Sequence, residues 1–286
     1  MNIVEHVVLS VAVWEAIWVS CSGLRNPYAG LREMALAVEN GTVIDNPDVW
    51  KVMATVNRSY FQIKDFVYEN SNNMPVHIGY GYYCEAPHII KKILVILEPY
   101  LKRPKSHILE IGTGSGYLTV CMNQLLHEKS AILSLEINLQ LLNRTINTVK
   151  NYYTKHGMKL NKNQTVFLWW NGKRGIYSRS PFDVIYCSGL ISDGEYNKLM
   201  YQIKPNGILL GYDWEIDGSG GRTLWLKQWY KITDTDVKCK PVIKCDHYYR
   251  ELMKNKGLLK LNDIMGGMAK EISMDKHGRV MLRDER

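Results

Sequence analysis

The sequence predicts an α/β fold: a doubly wound, mostly parallel sheet of the Rossmann-like kind, with an antiparallel C-terminal edge and N-terminal helices. Three observations carry that expectation. From His107 onward, short apolar runs of strand length alternate with segments of helical period, as they do when helices cover both faces of a parallel sheet. A glycine-rich stretch, LEIGTGSGYLT (109–119), ends the first of these runs and opens a helix. The alternation then gives way to TLWLKQWYKI and VKCKPVI, two β-like segments with no helix between them, which can add an antiparallel edge to the same sheet.

Taken in order, LREMALAVENG (31–41) has helical spacing and stops at Gly41. NPDVWKVMATV (46–56) reads as a second helix, with Asn46 as its cap and Pro47 at its first position. A polar, irregular stretch runs from Glu69 to Pro75. Pro87 opens the helix HIIKKILVILEPYL, whose Ile89, Ile90, Ile93, Leu94 and Leu97 share one apolar face. HILEI (107–111) and AILSLE (131–136) are strands, and YLTVCMNQLLH between them is helical. NLQLLNRTINTVKNYY (138–153) is a longer amphipathic helix. TVFLWW (165–170), DVIYCSG (183–189) and GILLGYD (207–213) are further strands, with EYNKLMYQI helical before the last. Neither repeats nor low-complexity segments interrupt the pattern.

With 286 residues, 46% hydrophobic and 22% charged, the chain suits one large α/β domain with additions or two small ones. The formal charge is +8. Half of it comes from eleven basic against seven acidic residues between Cys239 and Arg286, which describes a solvated basic tail better than a nucleic-acid surface. Six scattered cysteines form no CxxC pair, so no zinc or other metal site is expected, and free thiols fit a reducing, cytoplasmic setting. The apolar run VVLSVAVWEAIWV (7–19) has the hydropathy of a signal peptide. No Lys or Arg precedes Arg25, however, and Glu5 and Glu15 flank or interrupt the run. A packed or partner-facing helix is expected there, with secretion the alternative; the run is too short and too interrupted to span a bilayer.

The glycine loop lies at the carboxyl end of a strand, where such sheets bind ligands. Glycine serves where a Cβ would strike the ligand or bar the backbone angle. A phosphate-cradling loop would need Lys after the last glycine, and Tyr117 stands there. The dinucleotide pattern fails because Tyr117 and Thr119 occupy its final glycine position in either register. What remains is E-x-G-x-G-x-G, led by Glu110, with Glu136 closing the next strand 24 residues after Gly112. An acid there is placed to accept both hydroxyls of a ribose. With no diphosphate to hold, S-adenosyl-L-methionine fits: a nucleoside whose charges are a sulfonium and an amino acid. The bland alternative is a tight strand-to-helix turn beside a solvated strand end.

LEIGTGSGYLT, PFDVIYCSG and KPNGILLG resemble class I S-adenosylmethionine-dependent methyltransferases in general. Three further segments resemble one family, the protein-L-isoaspartate (D-aspartate) O-methyltransferases. YYCEAPHII (82–90) is similar to that family's Ser-Ala-Pro-His segment, VMATVNRSYF (52–61) to its Asp-Arg segment, and WNGKRG (170–175) to its Gly-Asp-Gly-Arg segment. The resemblance spans about 31–252, with a cofactor-binding core from about 87. It leaves an N-terminal extension (1–30) and a basic C-terminal one (253–286).

The resemblance implies methylation of isoaspartyl and D-aspartyl carboxylates in damaged peptides or proteins. It implies Gly112, Thr113, Gly114 and Gly116 around the methionine part of the cofactor, under Glu110. Glu136 would lie at the ribose, Asn171 and Gly172 near the adenine, and Glu85, Ala86, Pro87 and His88 at the acceptor carboxylate. Two departures stand out: Glu85 where the family carries Ser, and Asn171 where it carries Asp. An ionised Glu85 about 4 Å from an acceptor carboxylate, at an effective dielectric near 20, would repel it by about 4 kcal/mol, roughly a thousandfold in rate or affinity. Glu85 therefore turns away, is protonated, caps the Pro87 helix, or serves another substrate. A second reading is a non-catalytic, cofactor-binding recognition or adaptor module of the same family. A third is a small-molecule or nucleic-acid methyltransferase. Membrane association is not expected.

Overall fold

The computed structural model describes 46–63, 75–158, 164–216, 218 and 221–245 with side chains, and 270–274 and 280–284 as backbone. The apolar N-terminal run and the helix expected at 31–41 lie outside the described residues. Among the described residues no helix is long and apolar enough to cross a membrane.

Helix α1 (Pro47–Thr55) starts as its sequence requires: Asn46 Oδ1 accepts the Val49 N–H at 3.0 Å and Pro47 occupies the first turn. A 3₁₀ turn over Arg58–Phe61 follows, capped by Asn57. Strands β1 (Val76–Gly79) and β2 (Tyr82–Cys84) form an antiparallel hairpin. Its tip places Tyr80 and Gly81 at φ 55° and 77°, the left-handed pair that matches strand twist in a tight hairpin. Helix α2 (Pro87–Leu101) then buries Ile89, Ile90, Ile93, Leu94 and Leu97, the face its periodicity predicts.

The alternating region follows as β3 (His107–Ile111), α3 (Tyr117–Leu125), β4 (Ala131–Glu136), α4 (Leu139–Lys155), β5 (Thr165–Trp169), β6 (Phe182–Leu190), α5 (Asp193–Tyr201) and β7 (Ile203–Ile216). Strands β8 (Arg222–Lys231) and β9 (Val237–Lys244) form the expected antiparallel edge. Beyond β5, β10 (Lys270–Met274) and β11 (Val280–Asp284) add a second antiparallel edge, with β10 paired to β5. The sheet order is β11-β10-β5-β4-β3-β6-β7-β8-β9, and the five central strands are parallel.

That order reverses beside β3. The chain runs outward through β4 and β5, then returns to place β6 on the other side of β3. The helices after β3 and after β6 consequently leave on opposite faces, and a crevice opens at the carboxyl ends of the two strands. Alternation along β3 sends Ile108 into the core under α2, α3 and α4, and Leu109 and Ile111 into the core under α5. Glu110 shares the side of Ile108, so a carboxyl group occupies a position that the strand pattern reserves for an apolar residue.

Gly116 holds α3 against α4. It has φ 83°, and a Cβ there would stand 2.8 Å from both Thr145 Cγ2 and Val149 Cγ2. Gly116→Ala is expected to destabilise the protein by about 3 kcal/mol, combining left-handed backbone strain with overpacking. Urea denaturation read by circular dichroism measures it; a loss under about 1 kcal/mol would mean that α4 gives way freely.

Candidate functional site

Residues of β2, β3, β4, β6 and the loops beyond them line a cleft of about 720 Å³, counting its open mouth. Its floor is the glycine loop, clamped by the strand and helix that come next. The Gly112 and Thr113 N–H groups donate to Leu135 O at 2.8 and 3.0 Å. Thr145 Oγ1 donates to Gly114 O at 2.5 Å. Gly112, Gly114 and Gly116 all have positive φ, between 58° and 92°. A Cβ on Gly112 would lie 2.1 Å from Ser188 Oγ, so at Gly112 and Gly116 it is the protein's own atoms that forbid a side chain.

Glu136 ends β4 inside this cleft and is buried. Its Oε2 accepts the Gly114 N–H at 3.0 Å and its Oε1 accepts the Asn138 N–H at 3.0 Å. Each carboxylate oxygen carries a second lone pair, so the group can fix the loop and still accept from a ligand. Tyr82 reaches over from β2. Burial, then the Glu136 charge, raises its phenol above the usual tyrosine range, against a hydrogen bond with Asn138 that lowers it.

Glu110 lies deeper and is 1% exposed. Its Oε2 accepts from Thr119 Oγ1 at 2.6 Å and Ser134 Oγ at 2.5 Å. Its Oε1 is buried and has no hydrogen-bond partner among the described residues. Burial pushes this carboxyl up to about 7, although the two hydroxyls favour the ionised form. Tyr186 sits opposite Glu110 in the β3–β6 register. Burial, then the nearby Glu85 and Glu110 carboxylates, hold its phenol neutral well above 10.

Of the residues singled out in the sequence, Glu85, Glu110, Gly112, Thr113, Gly114, Glu136 and Gly172 line the cleft together. Glu85 is 7% exposed. The N-cap of α2 is Ala86, which makes no side-chain capping bond, and Glu85 just before it lines the cleft. Ala86 and Pro87 are buried behind it, and His88 is exposed on the first turn of α2. Gly116 packs against α4 instead of lining the cleft. Asn171 is exposed, and its Oδ1 accepts the Lys173 N–H at 3.2 Å, capping a 3₁₀ turn. Sequence reasoning missed Tyr82, Tyr83, Trp170, Tyr186 and Ser188 as lining residues. The available signal for Tyr186 and Ser188 was their place at the end of a central strand; for Tyr82 and Tyr83 it was their place at the head of the YYCEAPHII segment.

A buried carboxylate oxygen without a partner, on a residue that lines the cleft, suits a ligand cation, and a strand-end carboxylate suits vicinal hydroxyls. A cationic nucleoside carrying an ammonium, as S-adenosylmethionine does, meets both conditions. Among the described residues no group of three His, Cys, Asp or Glu is arranged to hold a metal ion.

The raised Glu110 carboxyl makes stability depend on pH. Its folded pKa lies above the unfolded one, so its contribution is complete below about 4.5 and is lost as pH rises to about 7. The loss is about 3 kcal/mol. Urea denaturation of the native chain and Glu110→Gln from pH 4.5 to 8 is expected to show the difference between them shrinking by that order. A difference independent of pH would place the carboxyl in ordinary solvent.

The family model described as Protein-L-isoaspartate(D-aspartate) O-methyltransferase matches residues 32–246. A protein-L-isoaspartate O-methyltransferase of Thermosipho melanesiensis is 31% identical over 169 residues, covering 57% of this chain and 76% of that one. One from Caenorhabditis elegans is 26% identical over 182 residues, covering 64% and 77%. Among solved structures, a Plasmodium falciparum protein of that description, in complex with S-adenosyl-L-homocysteine, superposes with a TM-score of 0.62 at 25% identity. That match covers 78% of this chain and 97% of the other. The chain belongs to the protein-L-isoaspartate (D-aspartate) O-methyltransferase family of S-adenosylmethionine-dependent methyltransferases.

Proposed function

We propose that this chain methylates the free carboxylate of isoaspartyl and D-aspartyl residues in peptides and proteins, a repair activity. One observation carries the reading: the glycine loop after β3 and the Glu85 corner between β2 and α2 face each other across a single cleft. The first would hold the methyl donor and the second would border the acceptor. Glu136 would accept from ribose hydroxyls and Glu110 Oε1 from the donor's ammonium, while Gly172 and Trp170 would border the adenine. When bound, S-adenosylmethionine supplies a methyl group made electrophilic by the sulfonium.

The protein's share of the chemistry is modest. An acceptor carboxylate is ionised at neutral pH and needs no general base. Alignment and exclusion of water remain, and the buried walls of the cleft favour both. We read Glu85 as standing where relatives carry Ser. A carboxylate cannot donate as that hydroxyl does, but the neutral phenol of Tyr186, also in the lining, can. On this reading 31–252 form the methyltransferase unit, between the extension 1–30 and the basic stretch 253–286. Among the described residues Cys84, Cys121, Cys187, Cys239 and Cys245 form no disulfide, which supports a reducing, cytoplasmic setting.

Burial of Glu85 in the cleft favours a second reading, a cofactor-binding recognition module that no longer turns over. Transfer of labelled methyl to an isoaspartyl peptide, against its aspartyl counterpart, separates the two. Transfer above the control is expected, and Glu136→Ala should weaken S-adenosylhomocysteine by about tenfold or more, the scale of a lost charged hydrogen bond. Cofactor binding with no transfer, together with transfer gained by Glu85→Ser, would install the second reading instead.

A further inference from the structure

We propose that the β1–β2 hairpin is a wall shared by the cofactor and acceptor ends of the cleft, and that Arg144 and Arg58 are positioning residues that fix its two ends. The hairpin supplies Ile78, Tyr82, Tyr83 and Cys84 to the lining, and Glu85 follows directly. Ile78 Cδ1 lies 3.3 Å from where a Cβ on Gly114 would stand, so the first strand covers the glycine loop. The second strand leads to the acceptor corner. A two-stranded ribbon this short does not hold its own shape in water, so its position is set from outside.

Two guanidinium groups from different elements do this. At the first strand, Arg144 of α4 donates from Nη2 to the carbonyl oxygen of Ile78. Its guanidinium also sits 5.6 Å from the ring centroid of Tyr80 at the tip. Gly79, at φ 88°, makes room for it: a Cβ there would be 2.8 Å from Arg144 Nη1 and 3.1 Å from Ile63 Cδ1. At the far end, Arg58 of the 3₁₀ turn is buried and donates from Nη2 to Glu85 O at 2.6 Å and Cys84 O at 3.3 Å. Desolvating a guanidinium is costly unless its protons are used. Here two of those uses are the backbone of the residues that turn the chain into the acceptor corner. Phe61 of the same turn packs 5.7 Å from Tyr117, ring to ring, at the start of α3, which ties the corner to the glycine loop.

The acceptor half rests on the isoaspartyl reading; the cofactor half does not. The test uses the full chain and Arg144→Gln, Arg144→Lys, Arg58→Gln and Arg58→Lys. S-adenosylhomocysteine release is followed by tryptophan fluorescence, and KM for an isoaspartyl peptide is measured at saturating cofactor. Arg144→Gln should speed release about tenfold with KM within about twofold, and Arg58→Gln should raise KM about tenfold with release within about twofold, the loss expected for one charged hydrogen bond. Each Lys variant, which keeps the charge but not the fork, should fall between. Release unchanged in Arg144→Gln overturns the proposal, as does either variant moving both constants equally, the mark of general loosening. Should the native chain bind S-adenosylhomocysteine yet methylate no isoaspartyl peptide, the isoaspartyl reading fails alone. Hydrogen exchange then decides the Arg58 half: faster exchange at 82–86 than at 107–116 in Arg58→Gln supports it, and no change at 82–86 overturns it.

Discussion

The site depends on how Glu136 closes the glycine loop. A loop in which three glycines take positive φ has little intrinsic reason to hold one shape, because glycine gives up more conformational freedom than any other residue. Here the end of β4 supplies the missing restraint. Its Leu135 carbonyl takes two N–H groups from the loop, and the Glu136 carboxylate takes a third while also receiving the Asn138 N–H at the entry to α4. Thr145 of α4 completes the clamp from above. One strand end therefore fixes the loop, starts the following helix and presents a carboxylate to the cleft. Because the anchor comes from the neighbouring parallel strand, the β3–β4 register, with Ile111 opposite Leu135, sets the geometry of the binding floor.

Much of this was legible in the sequence, and the reasons are specific. β3 and β4 run as HILEI and AILSLE suggest, since short apolar runs bounded by polar turns leave few alternatives. α2 follows the spacing of its isoleucines and leucines. The hairpin over 76–84 was not legible: VHIGYGYYC carries aromatic residues on both faces and no alternation, and its place is set by arginines distant in sequence. β7 is longer than GILLGYD because the chain bulges at Asn206, with φ 64°, and resumes pairing with β6. The Pro-Asn-Gly turn is thus present inside a strand instead of before one. Strands β10 and β11 fall where composition suggested only a basic tail, since pairing with β5 is a tertiary event.

The candidate site was legible as a list and less so as an arrangement. The spacing from Gly112 to Glu136 locates both ends of the cofactor end of the cleft, because strand length and helix length fix it. Polar residues that serve the local backbone cannot be separated from those that face a ligand by their type. Asn171 caps a turn and Gly116 packs a helix, while Tyr186, in an apolar-looking run, reaches the lining. The partners of Glu110 are Thr119, one helix later, and Ser134, on the next strand. No local pattern announces such a network.

The chemistry of the cleft follows from how its acids are divided. Burial pushes Glu110 up to about 7, so near neutral pH it is poised between a neutral acid and an anion. A cation brought next to its unpartnered oxygen would favour the anion. Glu136 is instead anchored by two backbone N–H groups, from Gly114 and Asn138. On the proposed function the two carboxyl groups would meet different parts of one molecule: the anchored one neutral hydroxyls, the titratable one an ammonium. On the proposed function, an acceptor carboxylate approaching the same cleft gains from Tyr186 remaining a phenol. Burial at the β3–β6 crevice raises both the Glu110 carboxyl and the Tyr186 phenol, and it is this shared desolvation that keeps the phenol a hydrogen-bond donor.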